Sequence, residues 1–142
     1  MISIRDQVLI NAPVAKVYRA LATPEGVSTW WDKQESIQTD RGLVMQHNPG
    51  PEHGIVRLRV VELVPNRRVE WECISSHPKT SPASAWTGTH FIFDIAARQG
   101  GGAKVDFRQD GYDEKSEFFE FNKSAWAEVL QNLKKVVEAQ RS

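Results

Sequence analysis

The first ten residues set a period of two. Ile2, Ile4, Val8 and Ile10 alternate with Ser3, Arg5, Gln7 and Leu9, which predicts a strand with one buried face. Asn11-Ala12-Pro13 ends it. Asn11 or Ala12 serves as a helix cap there, with Pro13 near the first helical position. The period then lengthens: Val14, Val17, Tyr18, Leu21 and Ala22 recur at helical spacing, predicting a short amphipathic helix from Pro13 to Ala22. Thr23-Pro24-Glu25 restarts a helix, with Thr23 as cap and Pro24 first, running to about Trp30-Trp31.

Period two returns downstream. Ser36 to Thr39 and Leu43 to His47 are predicted strands around an Asp40-Arg41-Gly42 turn, and Asn48-Pro49-Gly50-Pro51 is a turn. Ile55 to Val64 is a long strand with Val56, Leu58 and Val60 on one side and Arg57 and Arg59 on the other. Its apolar phase slips after Val60-Val61, the mark of a β-bulge. Val69, Trp71 and Cys73 alternate with Glu70 and Glu72. Thr87 to Ala97 carries Thr89, Phe91, Phe93 and Ile95 on one face. Gly100-Gly101-Gly102 turns the chain into a strand bearing Val105, Phe107 and Gln109. From Glu117 to about Gln140, Phe118, Asn122, Ala125, Val129, Leu133 and Val136 form one helical stripe, widened by Phe119, Trp126, Leu130 and Val137. Short turns between strands imply an antiparallel sheet, polar outside and apolar inside. Only the last helix is long enough to cover it, at roughly 35 Å. The expected fold is α+β: a curved sheet of about seven strands gripping one long C-terminal helix in a single domain, 1–142.

Composition narrows the possible functions. The chain has 142 residues, 18 basic and 18 acidic, one cysteine and five tryptophans. Zero net charge argues against a nucleic-acid partner and against electrostatic attraction to an anionic membrane. No run reaches the roughly 18–20 apolar residues of a membrane span, and the N-terminus lacks a signal peptide's apolar core, so a cytoplasmic location without membrane insertion is expected. The lone Cys73 excludes an internal disulfide framework and a cysteine-rich zinc site. The four histidines, His47, His53, His77 and His90, lack metal-site spacing, and the glycine triplet lacks the strand–loop–helix context of a phosphate loop. No nucleophile–base set is visible, so a non-enzymatic role is favoured and neither a metal nor a cofactor is expected. The Pro/Ser-rich stretch His77 to Ala85 reads as a surface loop and a candidate lid.

Several local patterns, taken in order, resemble the START-like superfamily known as SRPBCC. More closely, they are similar to its branch related to the C-terminal domain of the activator of heat-shock-protein-90 ATPase. They are Asn11-Ala12-Pro13 leading to Val17-Tyr18, then Leu21-Ala22-Thr23-Pro24-Glu25, then the Trp30-Trp31 pair. Val60-Val61-Glu62-Leu63-Val64-Pro65 leading to Trp71 follows, and Trp126 followed by Leu130-Gln131-Asn132-Leu133-Lys134 completes the pattern. The resemblance covers nearly the whole chain. It implies the helix-grip fold, START-like or Bet v 1-like, with a cavity between sheet and helix that takes an apolar small molecule.

The residues support such a cavity in one respect. Trp71, Phe91, Phe93, Phe107, Phe118 and Trp126 fall on predicted inward faces, with Met45, Leu58 and Cys73 beside them. Ordinary core packing explains Trp71 and Cys73 equally well. Adjacent residues on a helix diverge by about 100°, so one of Trp30 and Trp31 is expected in the core and the other partly exposed. His47, Thr89, Gln109 and Asn122 are the polar residues on inward faces, placed either to hold a polar group of a ligand or to bind water at the open end. Trp86 is a candidate plug beside the loop. Glu70, Glu72, Asp94, Asp106, Arg57, Arg59 and Arg108 alternate outward as cross-strand pairs. Three functions remain open: a binder of an apolar or aromatic small molecule, as a monomer or weak homodimer; an aromatase/cyclase-type or hydrolase-type enzyme using the same cavity; and a chaperone-associated protein-interaction module.

Overall fold

The computed structural model describes residues 2–113 and 115–140. Alternating residues form strands β1 (Ile2–Ile10), β2 (Glu35–Thr39), β3 (Gly42–His47), β4 (Val56–Val64), β5 (Arg68–Cys73), β6 (His90–Ala97) and β7 (Ala103–Tyr112). They make one antiparallel sheet in the order β1-β7-β6-β5-β4-β3-β2. The helices are α1 (Val14–Ala22), α2 (Pro24–Val27) and α3 (Phe119–Ala139), and Pro82–Ala85 forms a single 3-10 turn. Helix α3 lies on the apolar face of the sheet and packs against β1. Its buried residues Asn122, Trp126, Leu130, Leu133 and Val137 follow the helical period. No helix among the described residues is long and apolar enough to cross a membrane.

The expected bulge is present: the β4–β5 register slips between Val60 and Glu62. Outward charges pair across strands. Arg59 donates to Glu72 at 2.8 Å, and Arg68 grips Asp94 with two bonds of 2.7 and 3.2 Å. Arg108 reaches both Asp94 and Asp110.

Three local expectations are corrected. Pro13 is itself the cap of α1, and no side chain bonds there. Thr23 does cap α2, accepting from the Gly26 N–H at 3.0 Å, but α2 stops at Val27 rather than running to Trp31. The Ser28 hydroxyl donates to the Pro24 carbonyl, and Val27 accepts from both Trp30 and Trp31, which closes the helix. The stretch from His77 to Ala85 is more than a surface loop: Ser81 and Ala83 are buried against the body of the protein.

Because α2 ends early, the helical divergence expected for the tryptophan pair does not apply. The two rings stack on each other at 6.2 Å and 15°, and both stack on Trp71. Trp30 is buried and Trp31 partly exposed, the division expected, reached by a different backbone. Trp126 bridges Trp31 at 5.2 Å to Phe107 at 4.6 Å. Phe91 and Phe93 fill in around Trp71. The space under α3 is therefore largely occupied by rings of the protein itself.

Candidate functional site

What remains open is a pocket of about 180 Å³ at one end of α3. Phe121, Asn122 and Ala125 bring the first turns of α3 to it. Trp31 and Asp32 come from the segment after α2, His47 from the end of β3, and Pro49, His53 and Val56 from the β3–β4 connection and the start of β4. Pro82, Ala83 and Trp86 close the other side. A larger groove, about 640 Å³, lies on the outside between Lys79, Thr87 and the 115–118 segment; it is walled by charged side chains, and Phe118 lies there.

Of the expected site residues, Trp31, His47 and Asn122 line the pocket. Trp30, Met45, Leu58, Trp71, Cys73, Phe91, Phe93, Phe107 and Trp126 pack in the core beneath it. Thr89 and Gln109 are fully buried and satisfy each other: the Gln109 amide donates to Thr89 Oγ1 at 2.9 Å, and the Thr89 hydroxyl donates to the Trp86 carbonyl at 2.6 Å. The Tyr112 hydroxyl donates to Gln109 Oε1 at 3.1 Å, and burial pushes its pKa well up. Trp86 Nε1 approaches that hydroxyl without closing a hydrogen bond. Asn122 donates to the Pro82 carbonyl at 3.2 Å, which ties α3 to the loop. These polar groups, expected to await a ligand or water, mostly hold one another.

His47 differs. Its ring Nδ1 lies 3.1 Å from Gln34 Oε1, and Trp31 packs edge-on against it at 4.7 Å. Burial lowers its pKa to about 4, opposing the pull of Asp32 and helped by His77. The ring is neutral at pH 7.

Two further histidines fix the pocket's rim. His53 Nδ1 bonds Ser81 Oγ at 2.6 Å. His77 Nδ1 donates to the His53 carbonyl at 2.6 Å, so its Nε2 accepts from the Ser75 hydroxyl at 2.8 Å. Ser75–His77 is a hydroxyl–base pair that no sequence pattern disclosed. Ser75 also accepts from the Arg57 N–H at 2.9 Å, is buried, and does not line the pocket, so the pair fastens two connections together. Cys73 sits 3.6 Å from Ser75 Oγ, and burial raises its pKa, which makes it a poor nucleophile. Among the described residues no three His, Cys, Asp or Glu side chains gather as a metal site would need. Asp32, His53 and Phe121 were not singled out as cavity residues by sequence reading, and Pro82 and Ala83 fall in the stretch it offered as a candidate lid. They come from turns or lie off the helix stripe, where periodicity carries no signal.

The family model for Activator of Hsp90 ATPase homolog 1-like proteins matches residues 11–138. No curated protein sequence matches. Among solved structures, the Aha1 dimer from Colwellia psychrerythraea aligns over 100% of both chains at 24% identity and a TM-score of 0.81. Protein MLL2253 from Mesorhizobium loti covers 99% of this chain and 100% of its own at 17% identity, TM-score 0.78. CalU16 from Micromonospora echinospora aligns over 96% of this chain and 76% of its own at 14% identity, TM-score 0.71. At these identities the structural likeness shows a shared fold alone.

Proposed function

The chain belongs to the Activator of Hsp90 ATPase homolog 1-like family, and from that premise and the pocket's walls we propose that it binds a small apolar or aromatic molecule at the end of α3. One observation carries the reading: an aromatic-walled opening of about 180 Å³, faced by Trp31, Trp86 and Phe121, lies beside a core largely occupied by the protein's own rings. Phe121 is 61% exposed at its mouth, a large apolar surface that a bound molecule would cover. Concave, mostly apolar sites with a few polar groups are the usual form of small-molecule sites.

The reading concerns binding. The buried Ser75–His77 pair, the raised Cys73 thiol, and Gln109 and Asn122, each already bonded elsewhere in the protein, give no group positioned in the pocket as a nucleophile. Thermal denaturation against a panel of single-ring compounds tests the proposal. At least one compound should raise the melting temperature in proportion to its concentration, as binding to the folded state requires. The rise should vanish in Trp31→Ala. A flat response across the panel, or an unchanged response in Trp31→Ala, overturns it.

A further inference from the structure

Hydrogen-bond geometry fixes the proton on His47. The amide nitrogen of Gln34 donates to the Asp32 carbonyl at 2.7 Å, so Oε1 is the Gln34 atom facing His47 Nδ1 at 3.1 Å. An amide oxygen only accepts, so Nδ1 carries the hydrogen and Nε2 of the neutral ring is a bare lone pair. Nε2 makes no hydrogen bond among the described residues. Asp32 Oδ2 stands 3.8 Å from it, and the His47 side chain is only 2% exposed. An acceptor therefore faces an acceptor on the wall of a pocket that both residues line. Asp32 is half exposed, so water can serve the two acceptors while the pocket is empty, and a ligand ammonium, with several N–H groups, would replace that water and donate to both.

The ionisable groups of the other walls agree in sign, although Trp86 on the same lining holds an unpartnered N–H that approaches the Tyr112 hydroxyl. No lysine or arginine lines the pocket; its ionisable lining residues are Asp32, His47 and His53. His53 is engaged at both nitrogens, by Ser81 and Glu52. Nothing there would neutralise an anion, whereas the faces of Trp31, Trp86 and Phe121 tolerate a cation. The volume, about 180 Å³, is close to the roughly 150 Å³ that admits a benzene ring and below the roughly 300 Å³ at which drug-sized sites begin.

Resting on the reading of this pocket as a binding site, we infer that its ligand is a single-ring molecule carrying a hydrogen-bond donor, an ammonium or a hydroxyl, seated between His47 Nε2 and the Asp32 carboxylate. Carboxylates, fatty acids among them, are rejected. The ring lies against Trp31 and Trp86; an ammonium donates to both acceptors, whereas a hydroxyl, with one hydrogen, donates to His47 Nε2 alone.

Four probes of similar size separate the terms: 2-phenylethylamine, 2-phenylethanol, phenylacetate and propylbenzene. Each is titrated into ¹⁵N-labelled full-length protein while the tryptophan indole N–H signals are followed. The amine or the alcohol should shift the Trp31 and Trp86 signals, binding at least about tenfold more tightly than phenylacetate and about fivefold more tightly than propylbenzene. Asp32 is solvent-exposed, so Asp32→Asn should fold normally. If the natural donor is an ammonium, that variant weakens the amine by about fivefold and leaves the alcohol within about twofold. If it is a hydroxyl, the alcohol leads in the unaltered protein, and His47→Leu, where it folds, weakens it by a similar factor. Equal binding of all four probes, or preference for phenylacetate or propylbenzene, overturns the donor assignment and leaves the pocket a binding site. No indole shift with any probe overturns both.

Discussion

Replacing Trp30 and Trp31 one at a time by alanine should have unequal consequences, although the residues are adjacent and their rings stack. A buried indole removes on the order of 150–250 Å² from water, about 4–6 kcal/mol at roughly 25 cal/mol per Å². Allowing for a compact unfolded chain trims this by roughly 10–40%, which agrees with the about 3–5 kcal/mol seen for large aromatic truncations. Trp30, at 2% exposure, takes the whole of that loss. Its Nε1 also donates to the Ala20 carbonyl at 2.7 Å, and losing that bond inside the core adds about 1 kcal/mol. Trp30→Ala should therefore cost about 5 kcal/mol, the whole stability of a marginal domain. Trp31 is partly exposed and makes no hydrogen bond through its ring among the described residues, so Trp31→Ala should cost about 2 kcal/mol. Urea denaturation followed by far-UV circular dichroism resolves that difference, since it exceeds the extrapolation error. Trp30→Phe, which keeps a ring and loses the bond, supplies a variant that folds. Probe affinity should reverse the order: Trp31→Ala lowers it by about tenfold or more, while Trp30→Phe leaves it within about twofold. Equal stability losses at the two positions, or a larger loss at Trp31, would refute the division of labour between core ring and pocket wall.

The His47 value of about 4 lies below the 6.5 of an unperturbed ring. As pH falls, the unfolded chain takes up that proton first, so stability is complete above pH 6.5 and declines toward pH 4, by at most about 3 kcal/mol. Urea midpoints near pH 7 and pH 4.5 should show this decline in the unaltered protein and a flatter one in His47→Gln. Tyr112→Phe leaves Gln109 Oε1 without its donor and should cost about 1–2 kcal/mol by the same measurement. A Cβ at Gly26 would lie 2.3 Å from the Arg19 carbonyl and 2.9 Å from Ala20 Cα, both backbone atoms. Gly26→Ala must therefore push α2 away from α1 and should lower stability by about 2 kcal/mol or more.

The strands were legible because one face of each is buried. Val69, Trp71 and Cys73 could not slip by one position without turning Trp71 into solvent, so their alternation carried register as well as type. The slip after Val60 was readable for the same reason. The end of α2 was not, because a serine–carbonyl bond and a tryptophan stack decide it rather than the propensity of residues 28–31. Inward polar residues were found correctly, but their partners were not. Gln109 turns to Thr89 and Tyr112, Asn122 to Pro82, and only proximity in three dimensions discloses that. The pocket was half legible. His47 and Asn122 sit on patterned elements and Trp31 belonged to a recognisable pair, whereas Asp32, His53 and Pro82 come from connections that obey no period.

On the proposed binding reading, ligand size would be set by the protein's own rings. Trp30, Trp71 and Trp126 are buried between sheet and helix, and with Phe93 and Phe107 they occupy the volume that a long apolar ligand would need. Trp31 lies over them as the floor of what is left, and Trp86 stands beside it at 6.1 Å. Selectivity then cannot come from depth. It would come from the rim, where Asp32, His47 and His53 are, among the described residues, the titratable groups lining the pocket. A chain with zero net charge thus places the field of one carboxylate, with no lysine or arginine beside it among the described residues, at this opening. That field acts over a few ångströms beside low-dielectric ring faces, where a carboxylate counts for more than it does in bulk water. Balanced overall charge and the proposed donor selectivity are compatible for that reason: discrimination would depend on the two acceptors next to the ligand, not on the sum over the surface.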